Sequence, residues 1–192
     1  MAENARLLST SDVAAALGPL LESRRLDYAF GGALALGYWA EPRGTMDVDV
    51  TLFLPTDLPD ACMQTLQELG CEVPEGTAKL LHEHGFCRVT WSGIRLDVFL
   101  PTIPFYEQAR HRRRRVPLKQ TTIMIWDAET LSVFKMMFFR DKDLVDLRKI
   151  IANQGVTFDR AWVREQLIDI YGRRDTRILR LDEVFAEIDS KP

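Results

Sequence analysis

Residues 30–53 read FGGALALGYWAEPRGTMDVDVTLF. Two features of this stretch sit badly with an ordinary hydrophobic strand: Gly31-Gly32 at the end of a short apolar run, and Asp47 and Asp49 one residue apart in an apolar segment. Alternate side chains of a strand share a face, so Asp47, Asp49 and Thr51 lie on one side and Met46, Val48 and Val50 on the other. Two strand rises put the carboxylate-bearing Cβ atoms about 6–7 Å apart. At an effective dielectric of about 20, two such charges repel by up to about 2.5 kcal/mol, and by a fraction of that in open water. Either this face is exposed, or a divalent cation offsets the repulsion.

A third carboxylate interrupts a second apolar strand. In residues 94–100, IRLDVFL, Ile94, Leu96, Val98 and Leu100 share one face and leave Arg95, Asp97 and Phe99 on the other. If Ser92-Gly93 is a two-residue turn between strands at 86–91 and 94–100, Arg88 stands opposite Asp97 and an ion pair is the plain structural account. The alternative is an all-oxygen ligand set, which suits magnesium better than zinc. Two such ions clamp the attacking and leaving oxygens of phosphoryl or nucleotidyl transfer. Gly31-Gly32 lets the backbone approach a phosphate at a helix N-terminus, although any tight turn would use the same pair.

Farther along, the start signals, periodicity and breakers predict helices at 9–26, 33–40 and 57–69 and strands at 28–30 and 46–54. One or two short strands fall within 116–125, and helices follow at 128–139, 142–152, 159–171 and 176–188. The expected fold class is α+β: a mixed sheet flanked by helices over 1–126, and a helical C-terminal part over 127–192. A chain of 192 residues with 46% hydrophobic content suits one compact domain or a core with a helical extension. No apolar run reaches the length of a membrane span, and MAENARLLSTSD lacks the basic and apolar regions of a signal peptide. Cys62, Cys71 and Cys87 form no CxxC pair, so a reduced, cytoplasmic protein is expected. His82 and His84 would share a face on a strand but not on a helix, and without further ligands at zinc spacing no zinc site is expected. Neither a GxxxxGK[ST] loop nor a GxSxG elbow occurs.

The net charge of −3 excludes a generally basic nucleic-acid binder. Yet no acidic residue falls between Gln108 and Trp126, and RHRRRR occupies 110–115. Such a run is either a solvated face or a local grip on phosphates. Lys135 sits in LSVFKMMFF with no carboxylate within reach on its own helix, so it snorkels to solvent or meets a negative group from elsewhere. Arg140, Asp143 and Asp146 follow at helical spacing, either as ordinary surface pairs or as a network that positions Lys135.

Gly31-Gly32, then Arg43-x-Thr45-x-Asp47-x-Asp49, then Asp97 in an apolar strand, resembles the DNA polymerase β-type nucleotidyltransferase superfamily. Within it, residues 30–53 are most similar to the AbiEii and MenT type of bacterial toxin nucleotidyltransferases. LSVFKMMFFRDKDLVDL is similar to that group's helical segment. The resemblance implies that Gly31 and Gly32 cradle a triphosphate and that Asp47 and Asp49 hold two magnesium ions. Asp97 would help bind one ion and assist removal of the acceptor's proton, and Lys135 would meet the phosphates. Arg43 and Thr45 would lie beside the metal-binding strand, with Arg43 near the phosphates or bracing the carboxylates.

The implied activity moves NMP from an NTP onto an acceptor hydroxyl. The implied acceptor is an RNA 3′ end, tRNA favoured, and the implied role is the toxin of a toxin–antitoxin pair with a cognate antitoxin. Arg110, Arg112, Arg113, Arg114 and Arg115 would contact that RNA. Two other readings stay open: transfer to a protein side chain or a small molecule such as an antibiotic, and a non-catalytic regulatory protein on the same fold. Retention of all three carboxylates counts against the last.

Overall fold

The structure is a computed structural model that describes residues 8–190, so the signal-peptide expectation for the first seven residues lies outside the described residues. Helix α1 (Thr10–Ser23) starts at Ser9, whose side chain accepts the Asp12 N–H while Asp12 reaches back to the Ser9 backbone, a reciprocal cap. Its buried stripe, Val13, Leu17 and Leu21, packs on the sheet. Strand β1 (Tyr28–Phe30) runs into α2 (Gly32–Trp39), and β2 (Asp47–Leu52) returns antiparallel beside β1. Helix α3 (Pro59–Glu68) and helix α4 (Thr77–His84) follow.

Strands β3 (Phe86–Trp91) and β4 (Ile94–Phe99) form the expected hairpin around Ser92-Gly93, both residues at positive φ. Helix α5 (Phe105–Arg112) leads to a second hairpin, β5 (Arg114–Leu118) and β6 (Thr121–Ile125). The six strands lie in the order β3-β4-β2-β1-β6-β5, with β2–β4 and β1–β6 parallel and the other pairs antiparallel. Helices α6 (Ala128–Phe138), α7 (Asp141–Gln154), α8 (Arg160–Tyr171) and α9 (Thr176–Asp189) complete the described chain. This is the expected α+β class. Residues on both sides of position 126 share one hydrophobic cluster, from Val13 through Val48 and Ile125 to Leu147 and Val184. No helix among the described residues is long and apolar enough to cross a membrane.

Two helices had no counterpart in the expectations. Helix α4 is bracketed by Gly76 and Gly85, both left-handed, and buries only Thr77 and Leu81 fully, too sparse an apolar pattern to betray a helix. His82 and His84 therefore sit on a helix and not on one face, which removes the geometry of a shared metal site. Helix α5 hides its apolar face (Phe105, Tyr106, Ala109) among charges. It takes the first arginines of RHRRRR into a helix while Arg114 and Arg115 enter β5, so the run forms no single strip.

Candidate active site

The sheet order lays the candidate residues in a row. Asp49 on β2 pairs with Asp97 on β4, and Asp97 pairs with Arg88 on β3. On the other side the Asp49 carbonyl accepts the Gly31 N–H at 2.9 Å. The sequence Gly31, Asp49, Asp97, Arg88 thus crosses four adjacent chain segments at steps of about 4.8 Å. Beside it runs a second row, Asp47 opposite Arg95 opposite Thr90.

Gly31 and Gly32 are required here by geometry. Gly32 opens α2 at φ +53°, and a Cβ there would lie 1.8 Å from Asp49 Oδ2. A Cβ on Gly31 would press on the Trp126 ring at 3.2 Å. The glycines therefore allow the start of α2 and the Asp49 carboxylate to approach each other, which is how a helix N-terminus and an acidic ligand come to face one bound group.

The three carboxylates differ in their surroundings. Asp47 accepts from the Thr45 hydroxyl at 2.5 Å and from Arg95 at 2.8 Å. Burial pushes its pKa up, but those two donors more than reverse this and hold it below the usual carboxylate range. Asp97 takes a two-pronged bond from Arg88, Nε to Oδ1 at 2.7 Å and Nη2 to Oδ2 at 2.9 Å. The Arg88–Asp97 pair foreseen from the hairpin is therefore real. Asp49 alone of the three has no hydrogen-bond donor or ion-pair partner among the described residues. Burial, then Asp47 and Asp97, push its pKa up to about 6, with Lys135 and Arg140 pulling the other way.

Helices α6 and α7 supply the opposite wall. Lys135 is 4% exposed and does not snorkel. Its Nζ lies 2.5 Å from Asp146 and 3.6 Å from Asp143, both on α7. Arg43 forks onto the same Asp146 at 3.1–3.2 Å, and Arg140 forks onto Asp143 at 2.6 and 3.2 Å. Burial raises the pKa of Asp146, but Arg43 and Lys135 hold it low. Both options left open for Arg140, Asp143 and Asp146 are present, the i,i+3 pair Arg140–Asp143 and the contacts of Asp143 and Asp146 with Lys135, while Arg43 braces Asp146 rather than Asp47 or Asp49. Three cations meet two carboxylates in this chain of contacts, so the wall carries excess positive charge, increased by Lys142 at the rim.

Between the walls lies a cleft of about 110 Å³ that opens to solvent. Gly31, Gly32, Asp47, Asp49 and Asp97 line its floor, and Tyr106, Trp126 and Phe134 its apolar end. Residues of α5, α6 and α7 thus wall the cleft above the aspartates. No three acidic, histidine or cysteine side chains among the described residues converge into a ready-made ligand shell. Magnesium does not require one, because it keeps waters and binds through one or two carboxylates plus substrate phosphates. The unneutralised Asp49 between two further carboxylates is the feature that fits a divalent cation here.

The basic run is shared out among internal partners. Arg110 and Arg113 pair with Asp27, Arg115 with Glu22, and Arg112 with Asp127 and Glu129 while lying 4.1 Å over Trp162. Arg114 alone of the five has no ion-pair partner among the described residues. Sequence reasoning passed over Arg95 and the aromatic end of the cleft. The strand register would have revealed Arg95. Nothing in the local sequence marks Tyr106 and Trp126, which are gathered only by tertiary packing.

The chain shares its fold with solved nucleotidyltransferase structures. The chain superposes on the crystal structure of ANT(2'')-Ia in complex with adenylyl-2''-tobramycin with a TM-score of 0.58 at 13% identity, covering 84% of this chain and 98% of the other. The solution structure of the antibiotic-resistance factor ANT(2'')-Ia gives 0.56 at 12% identity over 95% and 97%. An antigenic nucleotidyltransferase-like protein from Paracoccidioides brasiliensis gives 0.52 at 17% identity over 91% and 92%. No family's sequence signature matches the chain, and no curated protein matches it in sequence.

Proposed function

We propose that the chain is a magnesium-dependent nucleotidyltransferase that moves NMP from an NTP to an acceptor hydroxyl. The observation that carries the proposal is the row of Gly31, Asp49 and Asp97, with Asp47 beside it and Lys135 facing it. Asp49 and Asp47 hold the cation, which when bound neutralises charge on the phosphates and polarises the phosphorus. The backbone at the start of α2 and Lys135 bind the triphosphate and orient its leaving group. Asp97, one strand beyond Asp49, receives the acceptor hydroxyl and helps remove its proton. The deep aromatic end of the cleft excludes water and takes the apolar face of the nucleotide.

The acceptor in this reading is an RNA 3′ end, tRNA favoured, and the protein is the toxin of a toxin–antitoxin pair acting in the cytoplasm. The likeness of residues 30–53 and 131–147 to AbiEii and MenT-type toxins supports it. A second reading, transfer to an antibiotic, is favoured by a fold shared over nearly the whole length of ANT(2'')-Ia. The deciding experiment incubates the protein with each labelled NTP, magnesium and one acceptor: total RNA, total protein or an aminoglycoside. Label on RNA supports the first reading and label on the aminoglycoside the second. Label on none of them sinks the transferase.

A further inference from the structure

Both outer carboxylates of the site are held by arginines from the β3–β4 hairpin, Asp97 by Arg88 and Asp47 by Arg95. The two guanidiniums are exposed, with side-chain accessibilities of 54% and 45%. The register puts them on the same face of the sheet as Asp49, because Arg88 stands opposite Asp97 and Arg95 opposite Thr90. Their backbone positions are diagonal neighbours, about 7–8 Å apart. Relative to Asp49 they lie on the side away from Gly31 and Gly32. If the triphosphate occupies the glycine end, an acceptor attacking opposite the departing pyrophosphate must approach across Asp97, over these two arginines.

We propose that Arg88 and Arg95 form the binding site for consecutive backbone phosphates of an RNA acceptor; this rests on the nucleotidyltransferase reading above. Without substrate each arginine neutralises a carboxylate. When Asp47 turns with Asp49 to a cation and Asp97 to the acceptor hydroxyl, both guanidiniums are released beside that hydroxyl. The hairpin is then occupied in order, nucleotide first and RNA second. A forked guanidinium matches a phosphate better than an ammonium does. The same charges reject a polycationic acceptor such as an aminoglycoside, which would meet Arg88, Arg95 and the Lys142 rim together. The RHRRRR run is not needed for this role, since four of its five arginines already serve internal carboxylates.

The test is fluorescence anisotropy with a labelled single-stranded RNA bearing a free 3′ hydroxyl, magnesium and a non-hydrolysable NTP analogue. Wild type is compared with Arg88→Gln/Arg95→Gln, with the charge-retaining Arg88→Lys/Arg95→Lys, and with Arg173→Gln/Arg174→Gln. The last pair removes two exposed charges from the α8–α9 turn. Losing two phosphate contacts should weaken RNA binding on the order of tenfold and make the log K versus log salt slope shallower by about 1.4. The lysine pair should fall between, the control should match wild type, and affinity for the analogue should hold throughout. Omitting the analogue and magnesium should reduce wild-type RNA affinity toward that of the glutamine pair. Equal affinity and slope for the glutamine pair and the control would overturn the proposal while leaving nucleotidyl transfer intact. Wild type that labels an aminoglycoside and not RNA would overturn both the clamp and the RNA acceptor. Loss of RNA binding in the glutamine pair, with no transfer by wild type to any acceptor, would keep the clamp and sink the transferase.

Discussion

Asp49→Asn should stabilise the substrate-free protein at pH 7.5 while abolishing nucleotidyl transfer. Asp49 is ionised at that pH against burial and two neighbouring carboxylates that raise its pKa from 3.8 to about 6. That shift amounts to about 3 kcal/mol of folding free energy lost on ionisation. The sign follows from a folded-state pKa above the unfolded one. The contribution is fully present below pH about 4 and is lost as pH rises through about 6. Partial solvent access and the favourable field of the α2 N-terminus reduce the figure to about 2 kcal/mol. For a chain of this size that corresponds to a rise in Tm of roughly 4–8 °C.

The assay is thermal unfolding of wild type and Asp49→Asn in EDTA, at pH 7.5 and again at pH 5. The gain should be clear at pH 7.5 and shrink at pH 5, where Asp49 is mostly protonated in the folded wild type. Magnesium with a non-hydrolysable NTP should raise the wild-type Tm and leave the variant nearly unmoved. A lower Tm for the variant at pH 7.5, or an equal gain at both pH values, would refute the reasoning. It would mean that the α2 N-terminus fully neutralises the carboxylate, leaving no unmet charge to attract a cation.

Asp47→Asn should also abolish label transfer from an NTP, whereas Asp97→Asn should cripple turnover yet spare most nucleotide binding, measured by calorimetry. Near-normal transfer by Asp97→Asn with a shifted Tm would leave Asp97 as a salt-bridge residue only. Asp146→Asn should cost about 3 kcal/mol in urea unfolding, because Lys135 and Arg43 lose a shared, buried partner; a change under 1 kcal/mol would mean that Asp143 alone holds Lys135. Arg112→Ser should cost about 2 kcal/mol by leaving Asp127, 3% exposed, without its cation, while Arg114→Ser should leave Tm unchanged. Expression of wild type in a bacterial host should arrest growth and Asp49→Asn should not; equal arrest would detach toxicity from transfer.

The parts of the site legible in the sequence are those governed by local periodicity. Alternation put Asp47, Asp49 and Thr51 on one face, and the Ser92-Gly93 turn fixed Arg88 against Asp97, because a two-residue hairpin leaves only one register. The isolation of Lys135 on its own helix left two outcomes, snorkelling or a distant anion, and the structure shows the anion. Which anion was not legible, since Asp146 reaches it only through the packing of α7 on α6. The arginine run was illegible for a related reason. Its partners Asp127 and Glu129 lie just past the acid-free window that made the run conspicuous, and Glu22 and Asp27 lie far upstream of it. A sequence window measures charge along the chain, whereas compensation is settled across the sheet.

That distinction explains how the site can be both folded and reactive. Asp47, Asp97 and Lys135 are each neutralised by a partner from another element. These pairs spare the cleft the cost of bare charges. Arg88 and Arg95 are exposed enough to leave at little cost, because exposed ion pairs contribute only about 0–1 kcal/mol. The Lys135–Asp146 pair is buried and is held from behind by Arg43, so it stays in place as a rigid positive wall. Asp49 has neither kind of partner, and Gly32 keeps the space beside it clear of a side chain. A ligand that supplies cations to the floor and phosphates to the wall therefore displaces only the weak pairs, relieves the unmet charge on Asp49, and meets Lys135 already in position. A metal–nucleotide has that charge pattern, and an aminoglycoside alone has the opposite one for the wall. Nucleotide binding should consequently require the divalent cation: chelation should weaken NTP affinity in wild type by at least tenfold and in Asp49→Asn by far less.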